Sequence, residues 1–141
     1  YAASHEKLFK KIKEMEGTNY IIGSPVNKRK YFNELRNSKV GISPFGWGEI
    51  CFRDFEIFLN GALLMKPNMD YINTWPNFFI RNKTYISLNW DYSDLHNKIK
   101  EIENNYEDYL TVVKNGQNKF LYYQNSGNEF VNHLLSKIKK L

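Results

Sequence analysis

The sequence predicts an α/β fold in which helices cover both faces of a parallel sheet. Short apolar and β-branched runs alternate along the chain with segments whose apolar residues recur at helical spacing, as in successive strand–helix units. The run at residues 62–65 is apolar without interruption, which is typical of a parallel strand buried on both faces. A chain of 141 residues, 42% of them hydrophobic, suffices for one domain with one core. We therefore expect residues 1–141 to form a single domain.

Two helices and one strand are predicted before the middle of the chain. Ser4 is predicted as the N-cap of the first helix. Residues 19–23 are interpreted as a buried strand, and residues 24–25 as the loop that leaves it. Asn27 is predicted to open a second helix that runs to about Arg36. The apolar faces of the two helices consist of Leu8, Phe9, Ile12 and Met15 in the first and Tyr31, Phe32 and Leu35 in the second.

The most informative stretch is residues 43–56, which read SPFGWGEICFRDFE. A short β-branched run at residues 39–42 precedes it, and the apolar residues Phe52, Phe55 and Leu59 recur at helical spacing after its two glycines. The pattern predicts a strand, a glycine loop and a helix. Such an arrangement presents the unpaired N–H groups and partial positive charge of a helix N-terminus beside unobstructed backbone. A phosphate group is the ligand that suits this geometry.

Polar side chains follow the same stretch at helical spacing. Four of them, spaced i, i+4, i+7 and i+11, would form one stripe on a helix: Glu49, Arg53, Glu56 and Asn60. A carboxylate one to two turns from a phosphate site is well placed to accept hydrogen bonds from a sugar diol. The alternative is a solvated stripe of weak ion pairs, and spacing alone does not decide between the two.

After the central helix, the sequence predicts two strands and a long loop. Residues 66–70 end the strand at 62–65. Residues 71–79 are aromatic without periodicity and are interpreted as a loop that folds over a site. Within this loop, Trp75 would stack on a base or sugar, or else serve as a packing anchor. Residues 84–88 are predicted to form the last strand, with its turn at 89–91.

The remainder is predicted to be a helical tail that packs across the sheet. Ser93 is the expected N-cap of its first helix, and two further helices are expected at residues 106–123 and 128–140. The residues expected to face inward are Leu95, Ile99 and Ile102 in the first helix, Leu110, Val113, Phe120 and Leu121 in the second, and Phe130, Leu134 and Ile138 in the third.

Composition excludes several functional classes. The net charge of +5 suits an anionic ligand, but the basic residues are spread over several helices, so no nucleic-acid partner is expected. Cys51 is the only cysteine, which excludes an internal disulfide. A thiol at a helix N-terminus tends towards a low pKa, yet no histidine stands near Cys51 in the sequence to make it a nucleophile.

No metal site and no membrane segment are predicted. Two sets of side chains are of types that bind metal ions, the histidines His5, His96 and His133 and the aspartates Asp54, Asp70 and Asp91. The histidines fall in separate predicted helices and are expected at the surface. No run is long and apolar enough to span a bilayer, and nothing resembles a signal peptide, so a cytoplasmic location is expected. Because the chain begins at Tyr1, we expect a fragment or a processed piece.

The central motifs are also those of a known family. Residues 43–49 (SPFGWGE), 53–56 (RDFE) and 61–64 (GALL) resemble the donor-binding half of GT-B glycosyltransferases, especially the group 1 and exostosin-like families. In those families a helix carries a glutamate five residues before the glycine that opens the next strand, as Glu56 and Gly61 do here. The resemblance implies a Rossmann-like sheet, and it covers most of the chain from about Ile21 onwards.

The resemblance assigns roles to individual residues. It implies that Glu56 binds the ribose of a nucleotide sugar and that Glu49 orients the sugar. The glycine loop and the helix N-terminus would stabilise the leaving diphosphate, helped by Arg53 or a lysine. The loop residues implied to face the diphosphate and the sugar are Phe45, Gly46, Trp47 and Gly48, and those implied to lie near the base are Gly23, Ser24 and Val26.

The function implied is transfer of a sugar from a nucleotide diphosphate donor to a glycan or other acceptor, of the retaining kind and without a metal or other cofactor. A GT-B enzyme needs a second domain, so the chain would be the C-terminal half that works with an N-terminal acceptor domain or a partner chain. Alone, it should bind donor weakly and transfer nothing. Two alternatives stay open: a non-catalytic nucleotide-binding module and a basic interaction module.

Overall fold

The fold is α/β, with a small parallel sheet between helices. The computed structural model describes residues 2–15, 20–22 and 25–139. Within these residues there are three strands and six helices. In chain order they are α1 (Ala2–Lys13), α2 (Lys28–Arg36), β1 (Val40–Ile42), α3 (Phe52–Leu59), β2 (Leu63–Pro67), β3 (Ile86–Leu88), α4 (Leu95–Asn104), α5 (Tyr106–Gln124) and α6 (Gly127–Ile138).

The three strands are parallel and stand in the order β1, β2, β3. Central strand β2 is buried along its whole length, which confirms the prediction drawn from its uninterrupted apolar run. It continues to Pro67, beyond the predicted end, and β3 begins two residues later than predicted. The carboxyl ends of all three strands therefore lie at one edge of the sheet.

Helices pack on both faces of the sheet, as predicted. Leu63 and Met65 of β2 point to one face, where they join a core formed with α1 and α4. Leu64 points to the other face and joins a core formed with α2, α3 and the Phe120 side chain of α5. This alternation along β2 divides the interior into two apolar layers.

The first helix differs from the prediction at its start. Helix α1 begins at Ala2, so Ser4 lies inside the helix and is not its N-cap. The Ser4 hydroxyl instead shares a hydrogen bond of 2.8 Å with the Tyr92 hydroxyl, which ties α1 to the segment before α4. Phe9, predicted to face the core, is 40% exposed. The other predicted core residues, Leu8 and Ile12 in α1 and Met15 just after it, are buried.

The strand predicted at residues 19–23 is wrong for the residues described. Residues 20–22 belong to no strand, and Ile21 is 64% exposed. A short apolar run does not by itself distinguish a strand from another extended segment, and β1 pairs only with β2 among the described residues. Gly23 and Ser24, which the resemblance places near a base, lie outside the described residues. Asn27 does cap α2, since its side chain accepts the Lys30 backbone N–H.

Helix α3 does not bury all of the apolar residues whose spacing indicated the helix. Its buried residues are Asp54, Ile57 and Phe58, whereas Phe52 is 89% exposed and Leu59 is 45% exposed. Both sets satisfy helical spacing, and packing on the sheet selects between them. Ile57 lies so close to β1 that a Cβ added to Gly41 would stand 2.6 Å from it.

The helical tail agrees with the prediction in position and only partly in orientation. Helix α4 buries all three predicted residues but starts after Asp94, so Ser93 is not its N-cap. Helix α5 buries Val112 and Gly116, whereas Leu121, predicted to face inward, is exposed. Helix α6 has no buried residue, and the three side chains predicted to face inward are exposed.

Candidate functional site

The candidate site lies where β1 and β2 end. Ligands of parallel α/β sheets bind beyond the carboxyl ends of the strands. Here β1 continues into the loop at residues 43–51, and the loop leads directly into α3. The Ser43 N–H donates to the Met65 carbonyl at 2.9 Å, which anchors the start of the loop on β2. The strand, glycine loop and helix predicted from sequence are thus present in this order.

The loop at residues 43–51 is buried where it leaves β1 and exposed to solvent at Trp47 and Gly48. The Gly46 N–H donates to the Gly48 carbonyl at 3.0 Å, while Trp47 between them is 98% exposed. No atom lies within 4 Å of the Cβ that Gly48 lacks. At the base, the Ser43 hydroxyl is fully buried without a hydrogen-bond partner among the described residues, which is rare in proteins. An incoming group can therefore approach the backbone at Gly48.

The start of α3 is already partly neutralised by its own side chain. Asp54, in the first turn, accepts the Cys51 backbone N–H at 2.9 Å and is fully buried. A carboxylate at this position satisfies one of the unpaired N–H groups and opposes the positive end of the helix dipole. Glu49 precedes the helix, so the predicted stripe of four polar residues on one helix does not form.

A buried ion pair lies beneath the loop, and sequence analysis missed it. The Lys66 ammonium is 3.1 Å from both carboxylate oxygens of Asp54, and neither side chain is exposed. The same ammonium lies 5.1 Å from the centre of the Phe45 ring and 5.6 Å from that of Phe79. Such contacts between a cation and aromatic faces are favourable. The available signal was a lysine inside an otherwise apolar strand.

Aromatic side chains form a wall beside the loop. Phe45 contacts Trp90 edge-on at 5.8 Å between ring centres, and Trp90 contacts Tyr71 at 5.1 Å. Burial raises the pKa of the Tyr71 phenol, and the adjacent Glu49 carboxylate raises it further. The structure thus brings two predicted site residues, Phe45 and Glu49, next to the long aromatic loop. Trp75 of that loop lies elsewhere, stacked on His133 at 4.2 Å, which is the packing alternative.

Glu56 and Arg53 lie together between α2 and α3. The Tyr31 hydroxyl donates to Glu56 Oε2 at 2.8 Å, and Arg53 lies next to the same hydroxyl. Arg53 also approaches His5, whose pKa is lowered first by burial and then by the arginine charge. His5 interacts with the Phe45 backbone, so it lies beside the loop and is half-buried, whereas a surface position was predicted. Tertiary packing of α1 brings it there, which no local pattern indicates.

The Tyr31 phenol gives a pH dependence with a definite sign. Burial, and then the hydrogen bond and charge of Glu56, raise the pKa of Tyr31 from 10 to about 12. Between pH 10 and pH 12 the Tyr31 phenol is deprotonated in the unfolded chain but protonated in the native state. The contribution of Tyr31 to the free energy of unfolding is therefore complete below pH 10 and is lost as the pH rises towards 12. Tyr31→Phe should therefore weaken the alkaline loss of stability, measured by urea unfolding across that window. An unchanged pH profile would contradict this.

A cavity of about 610 Å³ adjoins the wall along β3. Its polar lining includes Asn68, Arg81, Lys98 and Glu101, and Trp90 lines it as well. The volume falls within the range that small-molecule sites occupy. None of the site residues predicted from sequence lines this cavity, and Trp90 connects it to the loop through its contact with Phe45.

The comparisons with known proteins leave the function to be argued from this geometry. No protein-family model matches the chain, and no curated protein is significantly similar to it. Within the described residues, no three side chains of His, Cys, Asp or Glu are grouped so as to hold a metal ion. No helix in the same part of the chain combines the length and apolar character needed to cross a membrane.

Proposed function

We propose that this chain is the donor-binding domain of a glycosyltransferase, which transfers a sugar from a nucleotide diphosphate donor to a glycan or other acceptor. One observation carries the proposal. The helix that follows a glycine loop at the carboxyl end of a parallel strand bears Glu56, whose carboxylate is held by Tyr31 next to Arg53. A carboxylate, the kind of group that accepts hydrogen bonds from a diol, and a cation therefore stand on the helix that starts at the predicted phosphate loop.

In the proposed complex, Glu56 binds the ribose. A carboxylate has about four acceptor positions, so the hydrogen bond from Tyr31 orients Glu56 and leaves acceptor capacity for both hydroxyls of a diol. Tyr31 is therefore a positioning residue in this proposal. Its hydroxyl fixes the carboxylate before the ligand arrives, which lowers the ordering cost of binding.

The diphosphate approaches the open backbone at Gly48, next to Gly46, and its charge is offset mainly by Arg53. Lys66 is compensated by Asp54, and the lowered pKa of His5 favours its neutral form, so Arg53 is the cation best placed to act on the ligand. Stabilisation of a leaving diphosphate by fixed charges is the kind of electrostatic catalysis that such a transfer needs. Glu49, beside Tyr71, would orient the sugar, with Phe45 and Trp47 at its rim.

The proposal requires no cofactor in this chain but does require a second domain. The described residues supply one α/β unit, and an acceptor has to be presented to the donor from outside it. We therefore propose that an N-terminal acceptor domain or a partner chain completes the enzyme in the cytoplasm, with retention at the sugar carbon. The isolated chain should bind nucleotide without turnover.

Ligand-induced stabilisation tests the proposal. The chain is titrated with the nucleoside diphosphates of each common base, and melting is followed by thermal shift. One of them should stabilise the protein by about 2.7 kcal/mol when present at 100 times its Kd. Glu56→Ala should abolish this shift, and Tyr31→Phe should reduce it, because the carboxylate remains but is no longer oriented.

A matched control is available on the neighbouring helix. Glu34 is an α2 glutamate whose salt bridge to Lys30 is partly exposed, so Glu34→Ala should keep full nucleotide binding. The absence of binding at millimolar nucleotide, or binding that Glu56→Ala leaves intact, would overturn the donor-site assignment. Nucleotide binding that Glu56→Ala leaves unchanged and that weakens steeply as the salt concentration rises would instead favour the basic interaction module.

A further inference from the structure

The last helix presents its apolar side chains to solvent. No residue of α6 is buried. Five large apolar side chains are between 46% and 58% exposed, namely Phe130, Val131, Leu134, Leu135 and Ile138. We refer to these five residues as the α6 apolar face. At 100° per residue they occupy one side of the helix, as they would in an amphipathic helix that covers a core.

The helix is attached to the rest of the chain largely by its other side. His133 stacks on Trp75 with ring centres 4.2 Å apart, and the Tyr122 hydroxyl donates to the Glu129 carboxylate. Phe130, at the margin of the apolar face, also contacts Trp75 at 6.1 Å. The polar side of α6 therefore faces the domain and the apolar face points outward. This is the reverse of the usual arrangement and indicates an interaction surface.

We propose that a second copy of this chain covers the α6 apolar face, with the two α6 helices antiparallel. A two-fold axis passing between residues 132 and 133 brings unlike side chains together. Each resulting pair joins a residue of one copy to a residue of the other. These pairs are Val131 with Leu134, Phe130 with Leu135, and Gly127 with Ile138. Gly127 has open space around it, so it can accept the larger Ile138 side chain of the second copy.

Charge also favours the antiparallel arrangement. Lys137 and Lys139 lie at the C-terminal end of α6, and Glu129 lies in its first turn. Antiparallel pairing places the two pairs of lysines at opposite ends of the paired helices and aligns the helix dipoles favourably. Parallel pairing would gather four lysines at one end. The charges of α6 are thus arranged for self-association in one orientation.

The size of the surface sets the expected strength. Five large side chains that are about half exposed on each copy bury on the order of 1,000 Å² in total, which is near the lower limit for a specific interface. A reversible dimer with a dissociation constant in the micromolar range follows, because association costs offset much of the gain from burial.

Sedimentation equilibrium tests the proposal on the full chain, from about 1 µM to about 500 µM. We expect a monomer–dimer equilibrium, and Leu134→Glu should raise its dissociation constant by at least about tenfold. Because α6 buries no residue, this variant should keep the melting temperature that the wild-type chain has at low concentration. Phe52→Glu, at an apolar side chain that is 89% exposed elsewhere, should leave the dimer intact.

A chain that stays monomeric throughout this range would overturn the proposal. So would a dimer that Leu134→Glu leaves unchanged. Flotation with anionic phospholipid vesicles is run in parallel. A monomeric chain that binds vesicles through Leu134 would show that a lipid surface, and not a second copy, covers the face.

Disulfide trapping tests the orientation. In a Cys51→Ser background, chains carrying Val131→Cys are mixed with chains carrying Leu134→Cys, and oxidation is followed by non-reducing electrophoresis. The antiparallel pair places these two positions opposite each other, so the mixture should form disulfide-linked dimer faster and to a greater extent than either variant oxidised alone. Faster dimer formation by each variant oxidised alone would contradict antiparallel pairing.

Discussion

Lys66→Met should lower the free energy of unfolding by about 3–5 kcal/mol, which is the usual cost of leaving one partner of a buried ion pair uncompensated. The lysine ammonium and the Asp54 carboxylate are 3.1 Å apart and fully shielded from water. Removing the cation leaves a buried carboxylate whose one remaining hydrogen bond, among the described residues, comes from the Cys51 N–H. Urea unfolding followed by circular dichroism measures the loss.

The double variant Asp54→Leu with Lys66→Met separates charge from packing. Replacing both members of a buried pair with apolar residues is often neutral or stabilising, so the double variant should recover most of the loss. Recovery should be incomplete because the Cys51 N–H then loses its acceptor, at a cost of about 1–3 kcal/mol if it stays buried.

An exposed ion pair provides the control. Lys98 bonds to Asp94 with side chains that are 32% and 20% exposed, and it also donates to the Ser87 carbonyl. Lys98→Met should therefore cost less than Lys66→Met. If the two substitutions cost the same, burial does not determine the strength of the Lys66 pair and the prediction fails.

The buried pair also links the sheet to the candidate site. Lys66 is at the end of β2, Asp54 holds the start of α3 through Cys51, and the Phe45 ring lies over the ammonium. All three attachments meet beneath the loop at residues 43–51. Loss of the pair should therefore disturb the loop as well as the core, and nucleotide binding is best compared at temperatures where each variant is folded.

The sequence predicted the parallel sheet because one signal was unambiguous. The uninterrupted apolar run of β2 indicates burial on both faces, and helices do cover both faces. The orientation of α3 could not be obtained in this way. Its aromatic residues Phe52 and Phe55 share helical spacing, yet the sheet contacts the side that carries Asp54 and Ile57. A charged residue on the buried side looks like a solvent-facing one until its partner is known.

The candidate site was predictable only where it is local in sequence. The glycine loop and Glu56 fall within one stretch, and the strand–loop–helix pattern located both. The contacts that define their surroundings join distant segments, as with Tyr31 and Glu56 or His5 and Phe45. Such contacts depend on how helices pack across the sheet, which hydrophobic spacing does not specify.

The α6 apolar face shows a different limit. Spacing correctly indicated an amphipathic helix, but it predicted that Phe130, Leu134 and Ile138 would face this chain's own core. Apolar periodicity indicates that one face of a helix is to be covered, but it does not identify the element or molecule that covers it. In the structure that face lies outside both apolar cores.

Gly116→Ala should be the second strongly destabilising substitution. Overpacking should lower the free energy of unfolding by about 1–3 kcal/mol, although replacing glycine with alanine inside a helix normally raises it by about 1 kcal/mol. Helix α5 crosses α3 at this glycine. An added Cβ would stand 2.7 Å from the Phe58 ring and 2.8 Å from the Thr84 carbonyl oxygen. The ring is fully buried and the carbonyl belongs to the backbone, so neither can move aside without shifting an element.

Gly127→Ala is the matched control, because it makes the same change in a helix where a Cβ meets no atom within 4 Å. It should leave the melting temperature of the monomer unchanged or raise it, whereas Gly116→Ala should lower that temperature by several degrees, at roughly 2–8 °C for each kcal/mol. Calorimetry at low protein concentration measures both. Equal effects would mean that α5 and α3 do not approach closely at Gly116, and the packing of the tail on the sheet would have to be revised.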